Sequence, residues 1–325
     1  MRSADKTTWP AAGVIAGCTI GNLVSSKPVI YATFGTFLKP VSASLGWSRA
    51  EFSVVILIIS TIGVLGYPLA GRAADRLGFR KVALTGNILF GLTVSALYFI
   101  KSNHILVYAL YGLVGITATM ASTALLSKPI EQSFTRNKGF LFAITACGVN
   151  AGFVLMPVVA AFLLGGFGWR AGYLVLGAMV IVLGFPALLF ISDGPLERKV
   201  ERAPAGQETG GMTTAEARRS PVFWILLASI GLGAGAISAV NTHIVPILTD
   251  RHMSLAVATG VTSAVAFAGA VAIVFVSAIL DRTGIIRIAG LFLALAIAGI
   301  ALLALARDQT LITVGGLLIG IGNGT

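Results

Sequence analysis

"GRAADRLGFRK", residues 71–81, sets four basic residues and one acid between two stretches of nearly pure hydrocarbon. Only 11% of the 325 residues are charged, so a cluster this dense needs a physical cause. On either side of it the chain stays apolar for about the ~20 residues that a bilayer core requires of a helix. The same pattern repeats along the chain, which is 56% hydrophobic with a mean hydropathy of +0.93. That balance belongs to an integral membrane protein. Spans are expected at 11–38, 52–71, 82–100, 105–127, 139–168, 171–192, 222–249, 255–280 and 288–306, with a tenth from 310 to Thr325. The runs are long and continuous and lack the period-two alternation of outer-membrane strands, so the fold class is an all-α polytopic membrane protein.

The formal charge of +11 raises the question of an acidic partner, and the distribution of charge answers it. With a cytoplasmic N-terminus, alternate loops place sixteen basic residues on that side, including Arg2, Lys6, the four of 71–81 and Lys128. The other side holds six: Lys39, Arg49, Lys101, Arg170, Arg251 and Arg307. This is the positive-inside asymmetry of a multi-pass protein in a cytoplasmic (inner) membrane, and it removes the case for nucleic acid. The first run is too long, and lacks a small-residue cleavage site, to be a signal peptide. Cys18 and Cys147 lie inside apolar runs and read as packing residues rather than a disulfide framework.

One stretch departs in composition. Residues 193–220, "DGPLERKVERAPAGQETGGMTTAEARRS", are rich in Gly, Pro and both signs of charge and read as a cytoplasmic linker. Ser220 is a plausible N-cap for the next helix, with Pro221 at its first position. The chain divides into an N-terminal six-helix half (1–192), the linker (193–220) and a C-terminal half (221–325) holding helices seven to ten. Sliding the second half over the first by 206 residues superposes Asp75 on Asp281, Arg76 on Arg282, Gly78 on Gly284 and Lys81 on Arg287, while Gly71 falls on Ser277. At the same offset Pro40 meets Pro246, Ser48 meets Ser254 and Ala50 meets Ala256. Two parallel copies of a six-helix unit are the expectation. The tenth span stops short of a full crossing, so the duplication predicts two further helices matching the fifth and sixth.

The spacing within 71–81 is tighter than topology alone demands. Gly71 is expected to permit close helix approach, Asp75 to offer an anion to a neighbouring helix N-terminus, and Gly78 to turn with positive φ. The sequence G-x-x-x-D-R-x-G-x-R-K resembles the signature loop of the major facilitator superfamily, with a degenerate second copy at 277–287. Within it, "FLKPVSASLGWSRAEFS" (37–53), "FTRNKGFLFAITACGVNAGF" (134–153), "GWRAGY" (168–173) and "THIVPILTDRHMS" (242–254) resemble the branch of monocarboxylate porters and oxalate/formate exchangers. The resemblance implies two halves rocking about a central site. Gly71, Asp75, Arg76, Gly78, Arg80, Lys81 and their echoes Asp281, Arg282 and Arg287 would then be gating residues, with Asp75 contacting the other half in the outward-open state. Departures narrow the substrate. "LYGLVGITATM" in the fourth helix lacks the arginine of proton-coupled drug exporters, and the eighth helix lacks the arginine with which oxalate exchangers hold a dianion.

No Asp or Glu lies at the middle of any span, which disfavours a buried carboxylate relay and a cation site. Histidines 104, 243 and 252 are scattered, and no nucleophile is paired with a base. Neither a metal, a cofactor nor an enzymatic reaction is expected. Lys27 is the exception inside the membrane, near the middle of the first run and followed by Pro28, which removes a backbone donor. Eleven residues or more, at least ~16 Å of helix, separate it from either end of the run, too far to snorkel comfortably. On an α-helix Lys27, Tyr31 and Phe34 share one face and Asn22, Ser26 and Thr33 another. Asn241 and His243 in the seventh helix complete the candidate substrate-binding set, although a lone interfacial histidine is more often a packing residue. Gly148 and Gly152 form a GxxxG pair read as packing at the interface between the halves. The expected function is a secondary carrier of a small organic anion, coupled to a proton or a counter-anion. The rivals are a carrier of neutral or amphipathic metabolites, and a non-transporting receptor or inactive fragment with the same fold.

Overall fold

The computed structural model describes the backbone at residues 11–134, 138–191, 214–283 and 285–322, and leaves the side chains of 274–289 outside its description. Each expected span has its helix: α1 (Ala12–Leu45), α2 (Arg49–Leu77), α3 (Phe79–Phe99), α4 (His104–Glu131), α5 (141–167), α6 (169–189), α7 (Pro221–Asp250), α8 (Leu255–Thr283), α9 (Ile285–Leu305) and α10 (Gln309–Gly322). Among the described residues, seven apolar helices are long enough to cross a bilayer when Leu141–Leu189 is counted as one. That 49-residue run would measure about 73 Å if straight, more than twice a bilayer core. Gly168, at φ 79° and ψ 170°, divides it into α5 and α6. Among the described residues there is no strand.

The end of the molecule at which α1 begins and α6 ends is termed the linker end; the opposite one is the far end. In the α1–α6 bundle the far-end core packs Phe37, Phe52, Phe90, Tyr111 and Tyr173. The Tyr111 and Tyr173 hydroxyls, 3.0 Å apart, satisfy each other in that apolar setting. A second core at the linker end gathers Cys18, Phe79, Leu126, Ile130 and Leu188. The α7–α10 bundle has its own core around Ile244, Leu248, Val261 and Ile319. Ser220 occupies the N-cap of α7 with Pro221 beside it, yet its side chain makes no capping bond.

The bundles meet along two seams. At the first, a Cβ on Gly35 of α1 would lie 2.7 Å from the Thr242 carbonyl of α7, an approach that only glycine allows. At the second, the Ser263 hydroxyl of α8 donates to the Val154 carbonyl of α5 at 2.6 Å. The GxxxG pair lies elsewhere. A Cβ on Gly148 would sit 2.0 Å from the Thr19 carbonyl, and one on Gly152 would sit 2.5 Å from the Leu23 carbonyl. These glycines pack α5 against α1 within one bundle, which corrects their placement between the halves. Cys18 is buried as packing requires, whereas Cys147 is exposed.

Candidate functional site

The site grows from two broken helices. α1 loses its regular pattern at residues 24–26, and α4 does so at Ala121 and Ser122. The freed groups meet, with the Ser26 N–H donating to the Ala121 carbonyl at 3.2 Å. The Ser25 hydroxyl donates back to the Asn22 carbonyl at 2.8 Å, and Pro28 has no N–H to place. From Lys27 to Ala32 the chain then winds as a π-helix, a wide turn found frequently at functional sites. Irregular backbone at membrane depth persists only where protein or a wet cavity satisfies it, and such breaks mark binding sites in membrane proteins.

Lys27 is exposed between buried Ser26 and Pro28. Ala12, Ala16, Ile20, Leu23, Lys27 and Tyr31 are exposed or half-exposed at intervals of three and four residues, forming a stripe that starts at the linker end. Residues 32–38 are all buried. The stripe stays uncovered from the linker end as far as Tyr31 and ends where α1 is covered at the α1–α7 seam; this uncovered strip is termed the groove. Among the described residues the ion pairs are Lys39–Asp250, Arg49–Asp250 and Lys128–Asp75, and none involves Lys27.

Tyr31 shares this groove, and its hydroxyl lies 3.2 Å from the Ser60 hydroxyl of α2. One to two turns along α2, the Tyr67 ring lies against Gly63. Sequence reasoning missed Ser60 and Tyr67. The available signal was two polar side chains seven residues apart on a highly apolar span. Phe34 departs from the expected face. The π-turn advances fewer degrees per residue than an α-turn, and Phe34 is buried, stacked on Phe52 with ring centroids 5.6 Å apart.

The remaining candidates lie apart. Asn22 is buried between α1 and α5, where its amide donates to the Thr145 carbonyl at 3.0 Å and its Oδ1 lacks a protein partner. It ties two helices together and stands off the groove. Asn241 and His243 are half-buried on α7, flanking the Thr242 whose carbonyl faces Gly35. They lie at the seam, about 12 Å of helix beyond Lys27 when Gly35 is taken as the marker.

The 71–81 stretch forms the end of α2 and the start of α3, joined through Gly78 at φ 92°. A Cβ on Gly71 would meet nothing within 4 Å, so close helix approach does not explain that glycine. Its carbonyl instead accepts from the Lys128 ammonium at 3.1 Å, and the same ammonium pairs with Asp75 at 2.5 Å. Asp75 thus bonds within its own bundle here. Arg76 and Lys81 are exposed and Arg80 is half-buried. Asp281, Arg282 and Arg287 lie outside the residues whose side chains are described.

Two helical bundles with several membrane-length apolar helices, two of them broken, and a mid-depth lysine that makes no ion pair among the described residues define a polytopic membrane protein. The chain belongs to the Major Facilitator Superfamily, whose family model matches residues 14–325. It is 24% identical over 225 residues to the uncharacterized MFS-type transporter YcxA of Bacillus subtilis, covering 68% of this chain and 54% of that one. The chain thus spans about half the length of that relative. It is 26% identical over 315 residues to the gallate transporter of Pseudomonas putida, covering 87% and 69% of the two chains. Multidrug resistance proteins also occur among the relatives. In structure it is similar to a bacterial homolog of human Spinster, solved inward-facing and unoccupied, with a TM-score of 0.72, 17% identity and coverage of 98% and 74%. The family and these neighbours are transport proteins rather than enzymes.

Proposed function

We propose that the protein is a secondary carrier of a small organic anion of monocarboxylate type, working by alternating access in the cytoplasmic membrane with its N-terminus in the cytoplasm. The observation that carries the proposal is Lys27, an exposed ammonium at mid-depth, set in a π-turn beside two broken helices and in no ion pair among the described residues. A lone ammonium inside a membrane costs several kcal/mol unless water or a counter-ion serves it, and a substrate carboxylate in a wet groove does both. The Tyr31 hydroxyl adds a donor one turn away. The name of the Pseudomonas relative supports the charge class, since gallate is an aromatic monocarboxylate.

Counterflow in proteoliposomes tests this reading. Monocarboxylates should exchange, and oxalate should compete weakly because one ammonium matches one carboxylate. Exchange of neutral or cationic metabolites that monocarboxylates do not inhibit would overturn it. A second reading, carriage of an amphipathic metabolite, draws on the apolar groove residues Ile20 and Leu23 and on the multidrug relatives; the same screen separates the two.

In this reading the 71–81 stretch gates the linker end, with Asp75 leaving Lys128 for the other bundle when that end closes. The Asp75 side chain is 63% exposed, so the present pair adds at most about 1 kcal/mol to stability. Asp75→Asn should slow exchange severalfold while the thermal midpoint in detergent stays put. Wild-type exchange in a correctly inserted Asp75→Asn protein would remove the gating role.

A further inference from the structure

At the far end, one carboxylate of the α7–α10 bundle is held by two cations of the α1–α6 bundle. The Asp250 carboxylate accepts from the two terminal nitrogens of the Arg49 guanidinium, at 2.5 and 3.0 Å, and lies 2.7 Å from the Lys39 ammonium. These are the ion pairs between the bundles among the described residues. The two-pronged arrangement is the one with which arginine recognises a free carboxylate.

Local helix electrostatics do not account for these charges. Asp250 is the last residue of α7 and Arg49 the first of α2. An acid at a helix C-terminus and a base at an N-terminus both oppose the macrodipole. Each is therefore in an unfavourable position on its own helix and is compensated across the gap between bundles. Both are also rigidly presented. Gly46 ends α1 in the left-handed region, and a capping box between Ser48 and Glu51 starts α2 beside Arg49. The Tyr108 hydroxyl donates to the Glu51 carbonyl at 2.9 Å, and Trp47 stacks on His104 with centroids 3.9 Å apart. On the other side, the Arg251 guanidinium donates to the carbonyls of Leu303, Ala304 and Ala306, anchoring the end of α7 to the end of α9.

We propose that Lys39 and Arg49 form a carboxylate-binding site at the far end, filled in this conformation by the protein's own Asp250. A carboxylate anion arriving at that end displaces Asp250, opens the latch and passes toward Lys27. The two cations exchange one carboxylate for another, and the displaced Asp250 carboxylate, 46% exposed already, passes to water. Among the described residues at the far end, the cations Lys39, Arg49, Lys101, Arg170, Arg251 and Arg307 outnumber the acids Glu51, Asp250 and Asp308, and this positive balance attracts the incoming anion even while the latch is closed. Lys39 lies twelve residues beyond Lys27 on the same helix, about 18 Å along it, so the positive charges run from mouth to centre. The inference rests on the organic-anion reading for its ligand, while the latch itself does not.

The test uses spin labels at Ser44 and His252, exposed positions on opposite bundles at the far end, in protein with Cys18 and Cys147 replaced. In wild type, acetate should widen the inter-label distance relative to chloride at equal ionic strength. Asp250→Asn should widen it without acetate. A cysteine at Ser44 then reports the local field: in Asp250→Asn, an anionic methanethiosulfonate should gain severalfold in rate over a cationic one. Adding Lys39→Gln and Arg49→Gln should abolish that gain while the far end stays open. An unchanged distance in Asp250→Asn overturns the latch. An acetate response equal to that of chloride, or an anionic preference surviving loss of both cations, overturns the carboxylate site. A positive result here alongside a failed carboxylate counterflow screen would sink only the transport reading.

Discussion

Lys27→Gln should raise the half-saturation concentration for the transported anion at least tenfold or abolish uptake, while the protein folds and inserts as before. The magnitude follows from the interaction removed. A hydrogen bond to a charged partner is worth about 1.5–3 kcal/mol, and each 1.4 kcal/mol is about a factor of ten in affinity. Lys27 has no ion-pair partner among the described residues, so its loss breaks no internal bridge and should leave the thermal midpoint unchanged or higher. That combination separates a binding residue from a structural one, since a structural lysine would lose stability along with activity. Lys27→Arg keeps the charge and should retain part of the uptake, limited by the fit of a larger head in the π-turn at Lys27–Ala32. Uptake and substrate protection against heating, measured on all three proteins, decide the matter. Unchanged affinity in Lys27→Gln for every transported carboxylate would leave Lys27 without a role in recognition.

Hydropathy located the helices because burial in lipid is a one-dimensional property: a stretch either can cross or cannot, and its own residues decide. The turn at Gly78 was legible for the same reason, since a positive φ is a local demand that glycine meets. Lys27 stood out as the lone charge in mid-span. The features that shape the groove are different in kind, because they are made by pairs of distant residues. The break at 24–26 needs the Ala121 carbonyl to receive the Ser26 N–H, and "SSKP" alone announces only a missing donor at Pro28. Phe34 was assigned to the wrong face because an α-helical period was applied across a π-turn. Asn22 looked like a binding residue because polar residues in spans often are, yet its partner on α5 makes it a tie between helices. Arg49 and Asp250 are separated by 201 residues and read singly as boundary charges. Their pairing becomes visible only when the bundles are brought together.

Glycines give the sharpest contrast between a local pattern and its spatial meaning, and the largest expected effect on stability. Gly148 and Gly71 are both helical glycines that sequence reading assigns to close helix packing. Gly148→Ala should strongly destabilise the protein, because the new Cβ would lie 2.0 Å from the Thr19 carbonyl oxygen and 2.9 Å from its carbon. Backbone cannot swing aside as a side chain can, so α5 must move away from α1 just below the break that presents Lys27. Overpacking costs about 1–3 kcal/mol where neighbours can yield, and here the neighbour is main chain, so the cost falls at or above the top of that range. Gly152→Ala meets the Leu23 carbonyl at 2.5 Å and the Pro28 ring at 2.6 Å and should behave alike. Gly71→Ala has the opposite sign: nothing lies within 4 Å, the residue is interior to α2, and replacing a helical glycine is worth about 0.5–1 kcal/mol. Thermal midpoints in detergent should therefore fall for Gly148→Ala and Gly152→Ala and hold or rise for Gly71→Ala. A stable Gly148→Ala together with an unstable Gly71→Ala would mean that α5 does not seat on α1 as described. The groove would then lose the wall that fixes its π-turn, and the placement of Lys27 would have to be argued anew.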